Sequence, residues 1–187
     1  MPSAFRRLSS TVAHRNPWFS AYVDEVERPG GLRGPFYWID MKPGASVLPL
    51  SNEFDVHLIR EYKYPLDRVS LEVVSGGIEE GETPRQSAER ELREEAGLEA
   101  ELWKDLGLID PFTTSVRGAN HLFVAAGLRH VGQSLDQGEH VDVVRMPFQQ
   151  ALELVLDGTI THGTSCTLLL KTGELLRRHG AAFFLGG

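Results

Sequence analysis

Residues 76–98 read GGIEEGETPRQSAERELREEAGL. Thr83, Pro84 and Gln86 spell a helix start: a hydroxyl at the N-cap, proline at the first helical position, and a glutamine three residues past the cap to close a capping box. Gly97 supplies the stop, because glycine takes the left-handed conformation that closes a helix without strain. The spacing predicts one helix between Thr83 and Gly97, with Ala88, Leu92 and Ala96 on the face that packs. On a neighbouring face Glu91 and Glu95 stand one turn apart, and Glu94 lies beside both. Each like-charge pair costs about 0.2–0.5 kcal/mol in an isolated helix, and Arg90, four residues before Glu94, relieves only part of it. A hard divalent cation resolves the conflict, since Mg²⁺ or Mn²⁺ is held by a few carboxylates together with phosphate and water. The plain alternative is a solvated charged face.

Working outward, the chain has 187 residues, 41% hydrophobic and 24% charged, the composition of a globular protein rather than a disordered or fibrous one. Its formal charge is −7, and residues 76–99 hold eight acids against three bases, so −5 of that total sits in one loop and helix. The chain has no run of 18 apolar residues that could span a bilayer, and the single Cys166 excludes a disulfide framework and a multi-cysteine zinc site. These features lead us to expect a reducing, cytoplasmic setting, no membrane partner, and no nucleic-acid partner for so acidic a chain.

Residues 1–23 carry Arg6, Arg7 and Arg15 but no acid. This resembles the composition of a transit peptide, yet no amphipathic repeat supports one, so residues 1–15 are expected to be a basic, flexible end. Trp18 to Glu27 and Phe36 to Asp40, joined by Pro29-Gly30-Gly31, predict an antiparallel hairpin in an N-terminal β subdomain over 16–44. Within the main domain, 45–187, strands are expected at Val47–Leu50, Phe54–Ile59, Val69–Val74, Leu106–Ile109, Leu122–Ala126 and Val141–Met146. Further helices are expected at Phe148–Leu156 and Ser165–Arg178. Strands before and after a central helix make the fold class α+β, an α/β/α sandwich with a mixed sheet.

The frame Gly76, five residues, Glu82, seven residues, Arg90-Glu91-Leu92, one residue, Glu94-Glu95, one residue, Gly97-Leu98 resembles the Nudix box without departure at any defining position. The resemblance implies hydrolysis of a nucleoside diphosphate linked to another moiety, by attack of water on a pyrophosphate phosphorus with Mg²⁺, or Mn²⁺, as cofactor. It places metal ligands at Glu91, Glu94, Glu95 and the backbone carbonyl of Ser75. It also implies that Glu82 and Arg90 lock the loop to the helix, with Gly76 and Gly97 serving the backbone. Catalytic roles fall on Glu94, Glu95 and Glu139, with Glu139 and Glu94 as rival general bases.

Beyond the box, Asn16-Pro17-Trp18-Phe19, Ser46 to Leu50, Val56 to Pro65 and Glu139 to Phe148 resemble the ADP-ribose pyrophosphatase branch. That branch implies a small nucleotide-sugar substrate and a homodimer in which the N-terminal hairpin crosses between subunits. Trp18 and Trp38 are candidates for stacking a base, and Arg60, Lys63 and Arg117 for contacting phosphate. Two departures bear on ADP-ribose itself: Glu61 and Lys63 stand where the branch has Gln and Arg, and the 111–118 loop lacks the usual acid and carries Arg117. A GDP- or UDP-sugar, a dinucleoside polyphosphate, or a sensor without catalysis are the alternatives. The NADH branch needs a four-cysteine zinc ribbon that this chain cannot build. His57, His121, His140, His162 and Cys166 show no ligand spacing and are expected in core or surface roles.

Overall fold

The computed structural model describes residues 5–135, 138 and 140–180. In chain order its elements are β1 (Arg6–Arg15), β2 (Phe19–Glu27), β3 (Arg33–Met41), β4 (Gly44–Pro49), β5 (Asp55–Lys63), β6 (Arg68–Glu72), β7 (Val74–Gly77), α1 (Pro84–Ala96), β8 (Leu98–Ile109), β9 (Val116–Arg117), β10 (Asn120–His130), β11 (Asp142–Pro147), α2 (Phe148–Leu156) and α3 (Gly163–His179). The chain divides into two compact units, residues 1–43 with 110–119 and residues 44–109 with 120–187.

The first unit is a four-stranded sheet in the order β1-β2-β3-β9. Residues 6–15, expected as a flexible end, instead form β1, paired antiparallel with β2 from Arg6 opposite Glu27 to Arg15 opposite Ser20. Ser9, Ser10, Thr11 and Val12 suit extended backbone, and Arg6 meets Glu27 at 3.0 Å. Every β1 side chain is exposed, so backbone pairing rather than an apolar stripe makes the strand. The other addition comes from far along the chain: β9 pairs parallel with β3, Ile39 opposite Val116 and Asp40 opposite Arg117.

The second unit has two sheets, β7-β4-β10-β8 and β11-β5-β6. The larger is mixed, because β10 runs parallel to β4 while β7 and β8 pair antiparallel. Alternation along its strands feeds two cores. Ala45, Val47, Val74, Phe123 and Ala125 pack with Ala88, Leu92 and Ala96 of α1. Leu48, Leu122 and Val124 pack with Phe148 and Ala151 of α2 and with Leu168 and Leu169 of α3. Helices on both sides of a mixed sheet make the α/β/α sandwich expected.

Several strand bounds differ from expectation: β8 begins at Leu98 rather than Leu106, β10 spans Asn120–His130, and the changes at Phe54 and Val73 have a visible cause. Phe54 stands at φ 63°, outside β5, in a turn where its N–H donates to the Ser51 carbonyl at 3.0 Å. The run Val69–Val74 is two strands: β6 pairs with β5, β7 with β4, and between them the Val73 N–H donates to the Ser165 hydroxyl at 2.9 Å. A helix 92 residues away thus takes the hydrogen bond that would have continued one ladder.

Candidate active site

The box is built where β7 runs through a loop into α1. The helix begins as expected: the Gln86 N–H donates to Thr83 Oγ1 at 3.2 Å, and the Thr83 N–H donates to Gln86 Oε1 at 2.9 Å. It ends at Gly97 with φ 63°. A Cβ there would meet the backbone nitrogen of Gln133 at 2.7 Å, so both conformation and space call for glycine. Gly76 is required for a different reason. A Cβ on it would lie 1.7 Å from Glu91 Oε1, so the Glu91 carboxylate fills the room that the missing side chain leaves.

Arg90 lies at the centre of the loop and helix. Its Nε donates to Glu82 Oε1 at 2.8 Å, and its Nη2 donates to Glu82 Oε2 at 3.2 Å and to the Gly77 carbonyl at 2.9 Å. Its Nη1 donates to Glu91 Oε1 at 2.7 Å and to Glu94 Oε2 at 3.0 Å. Glu82 in turn accepts the Glu79 N–H at 2.9 Å. Loop and helix are therefore held by one guanidinium, whose protonated form these carboxylates, Glu82 foremost, favour strongly.

Glu95 faces inward. The Ser75 N–H donates to its Oε2 at 3.3 Å, and burial together with the charge of Glu91 pushes its carboxyl up to about 8. Ser75 is fixed by a 2.7 Å hydrogen bond between its hydroxyl and that of Ser46 on β4. Glu95 and Ser75 line a small cavity with Ile59, Glu61, Lys63, Glu72 and Val73. Lys63 pairs there with Glu61 and lies 3.9 Å from Glu72. Burial alone would lower its ammonium, but Glu61, Glu72 and Glu95 hold it above the ordinary value.

The donor set suits a hard divalent cation, since Glu91, Glu94 and Glu95 offer carboxylate oxygens on adjoining turns and a buried Glu95 carboxylate gains from a nearby positive charge. Among the described residues, however, no three of His, Cys, Asp and Glu are gathered so as to hold a metal as they stand. The reason is visible in the bonds above: the Arg90 guanidinium draws Glu91 and Glu94 to itself, while Glu95 turns to Ser75.

The substrate candidates separate. Arg60 and Lys63 are three apart on β5 and so lie on opposite faces. Arg60 donates to Asp142 across the strand pair at 3.0 Å, away from the cavity that Lys63 lines. In the first unit, Trp38 stacks on Tyr22 at 4.5 Å, donates to Asp24 at 2.9 Å, and carries the Arg117 guanidinium 4.9 Å over its ring. Arg117 also pairs with Asp40, holding that carboxyl below its usual range. Trp18, by contrast, is 69% exposed and lines an open cavity with Ser20, Asp40 and Lys42. Glu139 lies outside the described residues.

Residues that the sequence reading missed cluster behind Glu95. His162 Nδ1 lies 2.8 Å from the Ser165 hydroxyl and 3.3 Å from Glu72 Oε2. Burial lowers the His162 ring below its ordinary pKa, and Glu72 opposes that. The one local sign was an acid, Glu72, amid the apolar run Leu71 to Val74.

Residues 40–164 match the family described as the NUDIX domain, and residues 5–39 match the nucleoside diphosphate sugar hydrolase N-terminal domain. The chain is 36% identical over 139 residues to an ADP-ribose pyrophosphatase of Bacillus subtilis, covering 72% of this chain and 74% of that protein. It is 32% identical over 143 residues to a methanol dehydrogenase activator of Bacillus methanolicus, covering 74% and 76%. A crystal structure described as an ADP compounds hydrolase superposes over 94% of this chain and 96% of its own with a TM-score of 0.82 at 23% identity, a likeness of fold.

Proposed function

We propose that this chain, which belongs to the Nudix hydrolase family, cleaves the pyrophosphate of a small nucleotide sugar, ADP-ribose first among them, to give AMP and ribose 5-phosphate. The observation that carries the reading is the complete box: Glu91, Glu94 and Glu95 on one helix, set against Ser75 and Gly76 of β7. The N-terminal match to nucleoside diphosphate sugar hydrolases and the Bacillus subtilis pyrophosphatase favour a nucleotide sugar over a dinucleoside polyphosphate. A chain that keeps all three carboxylates does not fit a sensor without catalysis.

Glu91, Glu94, Glu95 and the Ser75 carbonyl are the proposed ligands of Mg²⁺ or Mn²⁺. When bound, the cation supplies charge to the anionic pyrophosphate and acid strength to a coordinated water. The chain does the rest. Arg90 and Glu82 hold the loop, Ser75 and Gly76 orient Glu95 and Glu91, and Glu94, with Glu139 as its rival, takes the proton from the attacking water. Trp18 is the stacking platform for the base, since its ring is the exposed one, while Trp38 and Arg117 support the sheet. A homodimer in the cytoplasm completes the reading, with exposed Leu8, Val12 and Tyr37 of the first unit as apolar surface for a second copy.

The test is a panel of ADP-ribose, GDP- and UDP-sugars and dinucleoside polyphosphates assayed with Mg²⁺ and with Mn²⁺, with Glu95→Gln as control. AMP release from ADP-ribose that needs the metal and is lost in the variant is expected. The absence of metal-dependent turnover on any nucleotide sugar would sink the proposal. Light scattering of the purified chain checks the dimer.

A further inference from the structure

A guanidinium has five N–H donors, and Arg90 uses all of them: one from Nε and one from Nη2 on Glu82, one from Nη2 on the Gly77 carbonyl, and both from Nη1 on Glu91 and Glu94. The division matters. Nε and Nη2 face the loop, whereas Nη1 faces two of the three carboxylates proposed above as metal ligands. Glu91 has little freedom to turn elsewhere, because its carboxylate fills the space over Gly76. We propose that Arg90 is a resident cation, and that a divalent metal enters this helix by taking Glu91 and Glu94 from Nη1 while Nε and Nη2 stay on Glu82 and Gly77.

Metal uptake is then an exchange of one cation for another rather than the filling of an open site. The inference rests on the metal-dependent reading given above. It accounts for how this carboxylate-rich helix offsets its own like charges, with Glu91 and Glu94 both turned to Arg90. Arg90 acts here as a positioning residue. It preserves the spacing of the ligands and competes for them, and a compact divalent ion with its higher charge wins the competition. If Arg90 served only as a brace, its removal would loosen the ligands and weaken metal binding; if it competes, removal strengthens binding.

Calorimetric titration of metal-free protein with Mn²⁺ and with Mg²⁺, without substrate, separates the two. Arg90→Gln is expected to bind the cation about tenfold more tightly than wild type, the effect of removing one full charge in direct contact with two ligands. Equal or weaker binding by a folded variant overturns the proposal. Because the variant also loses the Glu82 brace, a second measurement uses the wild type: with ¹⁵N-labelled arginine, Mg²⁺ should shift the Arg90 Nη1 signals and leave its Nε–H protected from exchange. Binding heat without any change at Nη1 overturns the exchange but not the metal reading. A wild type that takes up neither cation overturns both.

Discussion

The loop and helix at 76–97 and the aromatic patch of the N-terminal sheet are both rich in charge, yet they settle it in opposite ways. Around Trp38 the charges named meet partners within the sheet, Arg117 with Asp40 and over the indole ring and Asp24 Oδ2 under the indole N–H, while the other Asp24 oxygen is buried without a hydrogen bond. Around Arg90 one guanidinium serves Glu82, Glu91 and Glu94, and Glu95 is left to a single N–H bond from Ser75. A balanced cluster has its interactions committed to structure. An unbalanced, half-buried one keeps an unmet demand for positive charge, and that demand is what binding can use.

The largest expected effect breaks the unbalanced side outright. Removing divalent metal with a chelator should abolish turnover and, since a ligand bound only by the folded state adds about 2.7 kcal/mol at a hundred times its Kd, should lower the melting temperature of the loaded protein. Substrate affinity should fall with it, because an acidic chain repels a pyrophosphate until a cation bridges them. Next comes Glu95→Gln. It should lower kcat by about 10²–10³-fold, the range seen when one group stabilising developing charge is lost. The same change should leave metal-free stability equal or higher, because it removes a buried carboxylate whose folded state favours the proton. A variant both inactive and unstable would show that Glu95 braces the fold instead.

On the balanced side, Trp38→Ala should cost about 2 kcal/mol, below the 3–5 kcal/mol of a fully buried aromatic, with KM for ADP-ribose little changed in the folded fraction. Trp18→Ala should do the reverse, changing stability by less than about 0.5 kcal/mol while raising KM. Should Trp38→Ala raise KM instead, the stack on Tyr22 is a binding element and the contrast fails. Acid sharpens it further. His57 and His162, both in the second unit, have pKa values lowered chiefly by burial. Groups depressed in the folded state contribute stability above their unfolded value near 6.5, lost as the pH falls from there through the folded values. Hydrogen exchange between pH 7 and 5 should therefore accelerate first in the second unit, and His162→Gln should blunt that acceleration.

How far the sequence foretold these two regions follows from the range of the forces involved. α1 was legible to the residue because its cap, its stop and its apolar face lie within fifteen positions, Thr83 to Gly97, and the box frame fixes its acids. α2 was equally local. β1 was hidden because none of its side chains is buried, so nothing in the pattern of hydrophobicity marks it. The break at Val73 was hidden because Ser165, far along the chain, causes it. The partners of Trp38 and Arg117 were hidden for the same reason: only the pairing of β9 with β3 brings Arg117 over the indole. Residue type and spacing located the unbalanced cluster, whereas neutralisation by a distant partner leaves no local trace.

The smallest predicted effect tests that neutralisation directly. Asp40 and Arg117 meet at the surface, with the Arg117 side chain 69% and the Asp40 side chain 33% exposed, so water reaches both groups and their bond is screened. Asp40→Asn should change stability by about 0.2–1 kcal/mol at low salt, and the difference should vanish near 1 M salt, where charges are screened within about 3 Å. The informative reading is KM. If the pair is committed to structure, KM for ADP-ribose stays constant across the salt series in both proteins, because Arg117 remains over Trp38. If releasing Arg117 from Asp40 lowers KM, and salt abolishes the gain, then the guanidinium was within reach of phosphate and its pairing with Asp40 restrains binding. In that case the N-terminal sheet would hold a second unbalanced site, masked by one carboxylate.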